Sequence, residues 1–316
     1  MFTNNTIKTD LKFEFNLIFL FLWTRNRTIK KFYNEKVIKM NESKFEQYLK
    51  NGLKEMELDF PLHFFEETTS TNDLAKSFIK PQSIHGTLFI ARKQNAGRGT
   101  YGRSFISKSG GIYCSLLIHV KEWHFKDINL ATIFAAVTVR EAVHDVLGLQ
   151  LELKWVNDLF LQGRKVGGIL TEKQFDSNWI VIGIGLNVSN RLEEFPDELK
   201  QIVTTIGIDD PDDRIKAMLV VTIINYILKK GKLSCKNEVM RCYLKNLFIL
   251  NQQVEIAYGS DLLQVHVLGV DDSGQLIVQK SCGDILYLQA GEVKLNLLKL
   301  AKKEVKAKKF ALDKNN

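Results

Sequence analysis

The chain has 316 residues, 45% of them hydrophobic, and a formal net charge of +8. That is enough apolar content for one large core with accessory segments. Its four cysteines, Cys114, Cys235, Cys242 and Cys282, form no Cys-x-x-Cys pair, and the six histidines show no zinc-like spacing. A disulfide scaffold and a zinc ribbon are thereby excluded, and the cysteines read as reduced core thiols of a cytosolic protein.

Residues 1–60 form a basic N-terminal extension. Eight Lys or Arg stand against three Asp or Glu between Met1 and Lys39, and Lys302, Lys303, Lys306, Lys308, Lys309 and Lys314 crowd a basic tail at 301–316. Such runs read as solvated tails rather than a nucleic-acid face. The apolar stretch 17–23, even widened to 13–23 across Glu14 and Asn16, is too short to span a bilayer and lacks a small-residue cleavage site. Met40 opens a more ordinary sequence and reads as the translation start. Residues 40–60 offer one helix at most, so a helix-turn-helix has no room and DNA binding has no convincing support.

The main domain is placed at 61–248. Ser70 and Asp73 stand at capping-box spacing before an apolar-periodic run to Lys80, predicting a helix start. As function, the hydroxyls and amide of Ser70, Thr71 and Asn72 suit a polar uncharged head such as a ureido ring.

Between an apolar run at 87–91 and another at 112–120 lies Gln94-Asn-Ala-Gly97-Arg98-Gly99-Thr100-Tyr101-Gly102-Arg103. The three glycines permit positive φ and close approach, with amides turned inward, while Arg98 and Arg103 supply forks that match carboxylate or phosphate. A solvated turn is the plain alternative. Gly97-x-Gly99-x-x-Gly102, with Glu122 20 positions beyond, also matches a dinucleotide fingerprint formally. A helix would have to open at the third glycine. Gly110-Gly111 breaks any helix here, and the pattern is strand, loop, strand.

A long helix is predicted at 127–147, capped by Asp127 and stopped by Gly148. Next comes Lys154-Trp155-Val156-Asn157-Asp158, then apolar runs flanking Gln162-Gly163-Arg164, a hairpin. Lys165, followed by Gly167-Gly168, is a candidate electrostatic clamp beside a ligand or else a solvated hairpin lysine. Asn157-Asp158 offers ligand contacts, a cation-holding carboxylate or a simple Asx turn. The buried strand at 180–188 carries Gly183, Gly185 and Asn187, whose amide can read an adenine edge. Helices are predicted at 213–230, ended by Gly231, and at 238–247; interleaved with the strands they predict a mixed sheet with helices on one side. After Leu250, short β runs with turn signals indicate a small barrel at 249–300.

The order Ser-Thr-Asn, Gln-x-x-Gly-Arg-Gly, Lys-Trp-x-Asn-Asp with Arg-Lys-x-Gly-Gly-Ile-Leu, and Gly-x-Gly-x-Asn-Val resembles the biotin–protein ligase family over 64–190, and more weakly to 298. The resemblance implies an α+β fold: a mixed β-sheet flanked by helices, of the class II synthetase-like biotin–lipoate ligase type. An SH3-like barrel follows it, with Gly291-Glu292-Val293 in its closing strand. It also implies formation of biotinyl-5′-AMP from biotin and ATP, with Mg2+, and transfer of biotin to a lysine of a biotin carboxyl carrier domain of a biotin-dependent carboxylase. A cytoplasmic enzyme, homodimeric by analogy, is the corresponding expectation.

Carried over by position, Ser70, Thr71, Asn72, Gln94, Gly97, Arg98, Gly99, Thr100, Lys165, Gly168 and Gly183 correspond to the biotin contacts. Arg98, Arg103, Asn157, Lys165 and Asn187 correspond to the ATP or adenylate side, with Arg98, Lys165 and Arg103 bearing the catalysis and Asp158 a magnesium candidate. Two departures stand out: Thr100 replaces a common arginine, and Val156 a common proline. A lipoate–protein ligase of related fold and a non-catalytic biotin-binding regulatory module are the alternative functions.

Overall fold

In the computed structural model, residues 43–174, 177–210, 213–290 and 293–295 are described. The part of the 1–60 extension before Ser43, Met40 included, Gly291-Glu292 and the residues after Leu295 lie outside them. The first element is α1 (Lys44–Glu55), capped by Ser43, whose hydroxyl accepts from the Glu46 amide. Then follow β1 (Leu62–Phe65), α2 (Thr71–Ser77), β2 (Leu88–Ala91), β3 (Ile112–His119) and α3 (Ile128–Leu147). Strands β4 (Glu152–Lys154), β5 (Asp158–Leu161), β6 (Arg164–Lys173) and β7 (Trp179–Leu186) precede α4 (Asp197–Lys200), α5 (Arg214–Leu233) and α6 (Lys236–Lys245).

These strands form one seven-stranded mixed sheet in the order β1-β2-β3-β7-β6-β5-β4, in which only β1 and β2 run parallel. Alternation along the strands sorts the two faces. Leu88, Ile90, Leu116, Ile118, Ile180 and Ile182 join the main core, whereas Phe89, Leu117, Val181 and Trp179 form a second cluster with Ala75 of α2. The long helix α3 packs on β6 and β7, α5 packs on α1 and α3, and the short α2 covers the other face. Helices therefore flank both faces rather than the one expected, because Ala75 of α2 packs on Phe89, Leu117 and Val181, and the short helix leaves room beside it.

Local chemistry accounts for the helix ends. Asp127 accepts from the amides of Asn129 and Leu130, and Gly148 closes α3 at φ +70°; a cap of this kind contributes about 1 kcal/mol. Gly231 does not end α5, which continues to Leu233. A Cβ there would lie 1.4 Å from the Trp123 indole nitrogen, so the glycine admits an indole rather than a turn.

The C-terminal unit is a five-stranded antiparallel sheet of β8 (Gln253–Tyr258), β9 (Asp261–Val270), β10 (Leu276–Lys280), β11 (Ile285–Leu288) and β12 (Val293–Leu295), ordered β11-β10-β9-β8-β12. This is the SH3-like element, and Val293 begins its last strand. Val254, Ile256, Val265 and Leu276 belong to the same core as the large sheet. The Trp155 indole donates to the Gly274 carbonyl at 2.9 Å, tying the small unit to the motif beside β4. Among the described residues no helix is long and apolar enough to cross a membrane.

Candidate active site

A cavity of 280 Å3 opens on the α2 face of the sheet. Its wall contains Ser70, Thr71, Asn72, Gln94, Arg98, Gly99, Thr100, Arg103, Asn157, Asp158, Lys165, Gly168, Gly183 and Asn187. All the predicted site residues thus share one hollow except Gly97. A Cβ on Gly97 would sit 2.5 Å from the Phe105 carbonyl oxygen and the Ser107 hydroxyl, so it lets the loop close on itself instead of facing a ligand. Glu122 is remote, paired with Lys232 at 3.3 Å, and no helix follows Gly102, so the dinucleotide pattern is formal only.

The end of the cavity at α2 is a closed polar network. Ser70 caps α2, its hydroxyl accepting from the Asp73 amide. The Thr71 amide and hydroxyl both donate to Gln94 Oε1, at 2.8 and 3.2 Å, and Gln94 Nε2 donates to the Ser107 hydroxyl. Asn72 Nδ2 donates to the Leu170 carbonyl and, at 2.8 Å, to Glu172. Its Oδ1 lies 2.6 Å from the fully buried Ser115 hydroxyl, itself 2.7 Å from that of Thr71. Gly183 is required behind Asn72, since a Cβ would come within 2.1 Å of Oδ1.

Arg98 grips Glu172 with one nitrogen at 2.9 and 3.0 Å from its two oxygens, and Asp73 at 2.6 Å. Lys76 reaches the same Glu172 at 2.9 Å. Partial burial raises the affinity of Glu172 for a proton, but donation from Asn72 and Lys76 and the charges of Lys76 and Arg98 outweigh it, holding its pKa below the ordinary value of 4.5. Arg98 Nε is buried without a partner.

The glycine loop differs from its expected geometry. Gly99 adopts φ −105° and its amide donates to the Arg103 carbonyl at 2.7 Å, so it is not turned inward. Positive φ falls on Tyr101 and Gly102, which close a tight turn over Thr100–Gly102. The Arg103 guanidinium donates to the Thr100 carbonyl and hydroxyl at 3.2 and 3.1 Å, folding it over the loop at the cavity rim.

The end at β4 and β5 is cationic. Lys165 meets Asp158 at 2.5 Å, and Lys154 lies 4.0 Å from the same carboxylate. Burial of Asp158 opposes its ionisation, yet Lys165, Lys154 and Arg103 prevail and keep its pKa below the usual 3.8. A shift of register between Leu159 and Phe160 pairs Phe160 with Lys165 and Leu159 with Gly167. This bulge brings Lys165 onto the face of Asp158. Asp158 does not fit the magnesium site foreseen for it: its carboxylate is already the counter-ion of Lys165, and Lys154 and Arg103 also act on it.

Asn157 spends its donor on the Ile169 carbonyl at 3.0 Å and so braces the hairpin. Asn187 donates to the Thr204 carbonyl, leaving a buried Oδ1 without a partner, ready for an amino group. Phe195, Leu199, Ile202 and Val203, past β7, supply an apolar wall that no motif announced. Of the cysteines only Cys114 is buried; Cys235 and Cys282 are exposed, which corrects the reading of all four as core thiols. Burial pushes the Cys114 thiol up to about 12, so it is no nucleophile.

Sequence reading missed Ser115, Glu172 and Lys154. Glu172 is legible afterwards, because Gly168, Leu170 and Glu172 alternate onto one face of β6.

Fold and cavity together define an acyl-activating ligase class. A family model described as the biotin/lipoate A/B protein ligase family matches residues 64–188. The chain is 30% identical over 254 residues to the bifunctional ligase/repressor BirA of Bacillus spizizenii, covering 75% of each. It is 27% identical over 238 residues to the biotin–[acetyl-CoA-carboxylase] ligase of Mycobacterium tuberculosis, covering 71% of this chain and 87% of that one. The biotin protein ligase of Aquifex aeolicus, solved with biotin and ATP, superimposes with a TM-score of 0.64 and 28% identity over 75% of this chain and 99% of that one. The chain belongs to the biotin–protein ligase family.

Proposed function

We infer that this protein forms biotinyl-5′-AMP and pyrophosphate from biotin and ATP and passes the biotinyl group to a lysine of a biotin carboxyl carrier domain. One observation carries the reading: a single cavity pairs a satisfied, uncharged-ligand end with a cationic end. The network of Ser70, Thr71, Asn72 and Gln94 is suited to the ureido ring. The acid of biotin then extends toward Arg98 and Lys165, where its oxygen attacks the α-phosphorus of ATP and pyrophosphate departs. Two anions must approach in that step, and fixed cations lower its barrier. Arg98 and Lys165 serve this purpose, with Arg103 at the rim. The adenine lies against the apolar wall, its amino group donating to Asn187 Oδ1. In the second step a carrier lysine amine attacks the acyl carbon and AMP leaves. No enzyme nucleophile takes part, in keeping with the raised thiol of Cys114. We place the reaction in the cytoplasm, where reduced cysteines are stable.

Release of pyrophosphate from ATP that depends on biotin, followed by labelling of a carrier domain, tests this function. Equal release with lipoate would assign a lipoate ligase, and no release with either acid would leave a binding module.

A further inference from the structure

Lys154 opens the Lys-Trp-Val-Asn-Asp motif, and the function above gives it no task. It is the last residue of β4, only 7% exposed, and its side chain lines the cavity. In register, Lys154 pairs with Asp158, Asp158 with Gly168 and Gly168 with Gly185. The lysine therefore rises from the same face as the two glycines that open the cavity floor.

Among the described residues its Nζ has no hydrogen-bonded partner: the nearest carboxylate, Asp158, lies 4.0 Å away and is engaged by Lys165 at 2.5 Å. The other ionisable group acting on it is Arg103 from the loop; Tyr243 of α6 has a phenol that burial and Asp158 raise well above its ordinary pKa, so it stays neutral. Three cations thus face one carboxylate. An ammonium at the end of a largely buried side chain, with so little compensation, favours a ligand that brings negative charge.

We propose that Lys154 is a further substrate-contacting residue, a second lysine that grips the phosphate oxygens of the nucleotide from the cavity floor. The proposal rests on the adenylating reading and adds a residue to it. Burial, with Lys165 and Arg103 and against Asp158, pushes the Lys154 ammonium down to about 8 in the free protein. A bound phosphate reverses that balance and draws a proton onto the lysine above pH 8.

The test uses the full chain, biotin, and an unreactive nucleotide, α,β-methylene-ATP, in calorimetry at pH 8.5 in two buffers of different ionisation enthalpy. The wild type takes up a proton on binding nucleotide. Lys154→Met binds the nucleotide about 10- to 100-fold more weakly, the range of one hydrogen bond to a charged group, without proton uptake. Its biotin affinity is unchanged and its Tm is equal or higher, whereas a merely structural lysine would lower both. Lys154→Arg recovers most of the affinity but not the uptake. Nucleotide affinity of Lys154→Met within twofold of wild type overturns the proposal, as does joint loss of Tm and biotin affinity. Failure of the wild type to release pyrophosphate from ATP and biotin would instead strike the ligase reading itself.

Discussion

The two ends of the cavity are built on opposite principles. Around α2, Thr71, Asn72, Gln94, Ser107, Ser115 and Glu172 satisfy one another, so this end is organised before any ligand arrives. Around β4 and β5, Lys154 and Lys165 share one carboxylate, and farther along the wall Asn187 Oδ1 has no partner at all. A closed network holds its hydroxyls and amides in fixed positions, so it selects a ligand by shape and by the match to the donors and acceptors it presents. An under-neutralised end selects charge, and its electrostatics are completed only by an anion.

Several substitutions can break this contrast. The largest effect is expected from Lys165→Met, which should slow biotin-dependent pyrophosphate release by about 10²- to 10³-fold, the scale of one preorganised charge-stabilising donor, while biotin binding changes less. Equal losses in both would mean that the ends are not separate. Glu172→Ala should act in the opposite sense, since it removes the one carboxylate that Asn72, Lys76 and Arg98 share and leaves them only the Leu170 carbonyl and Asp73. Biotin affinity measured by calorimetry should fall roughly 10- to 100-fold, the weight of a charge-assisted hydrogen bond.

Gly183→Ala pushes a methyl into Asn72. Overpacking of this kind costs about 1–3 kcal/mol, which should lower Tm by roughly 2–4 °C per kcal/mol and weaken biotin more than nucleotide.

Acid sharpens the contrast differently. Glu172 and Asp158 both have folded-state pKa values below their ordinary 4.5 and 3.8. Their stabilising contribution is therefore present above those ordinary values and lost as pH falls through the depressed ones. Thermal melts between pH 3 and 6 should show a decline at the acid end that Glu172→Gln flattens; an unaltered slope would contradict the network. The smallest change is expected at the rim, where Thr100→Arg adds one exposed cation. Escape of the adenylate in a trapping assay should slow by about two- to fivefold, as befits a solvent-exposed charge, and unchanged escape would exclude a rim contribution.

Much of this site was legible in the chain because its chemistry is local. Ser70 and Asp127 cap helices through atoms two or three residues away. Gln162 and Gly163, at φ +52° and +73°, make the hairpin that Gln162-Gly163-Arg164 announced. The glycine loop was located correctly but its geometry was not, since its amides turn back to Arg103 and positive φ passes to Tyr101. Nothing in sequence spacing signals that exchange, which depends on how Phe105 and Ser107 close against Gly97.

The sequence by itself determined which side chains were available: a polar cluster before α2, arginines in a glycine turn, lysines around Asn157-Asp158. Only the tertiary structure decided which of them meet. Ser115 and Glu172 join Asn72 across strands that lie 43 and 100 residues away in the chain. A single register shift in β5 and β6 turns Lys165 to the face of Asp158. Strand side chains alternate with a period of two, so one bulge moves a charge from one face of the sheet to the other, and no pattern within a strand records where its neighbour slips.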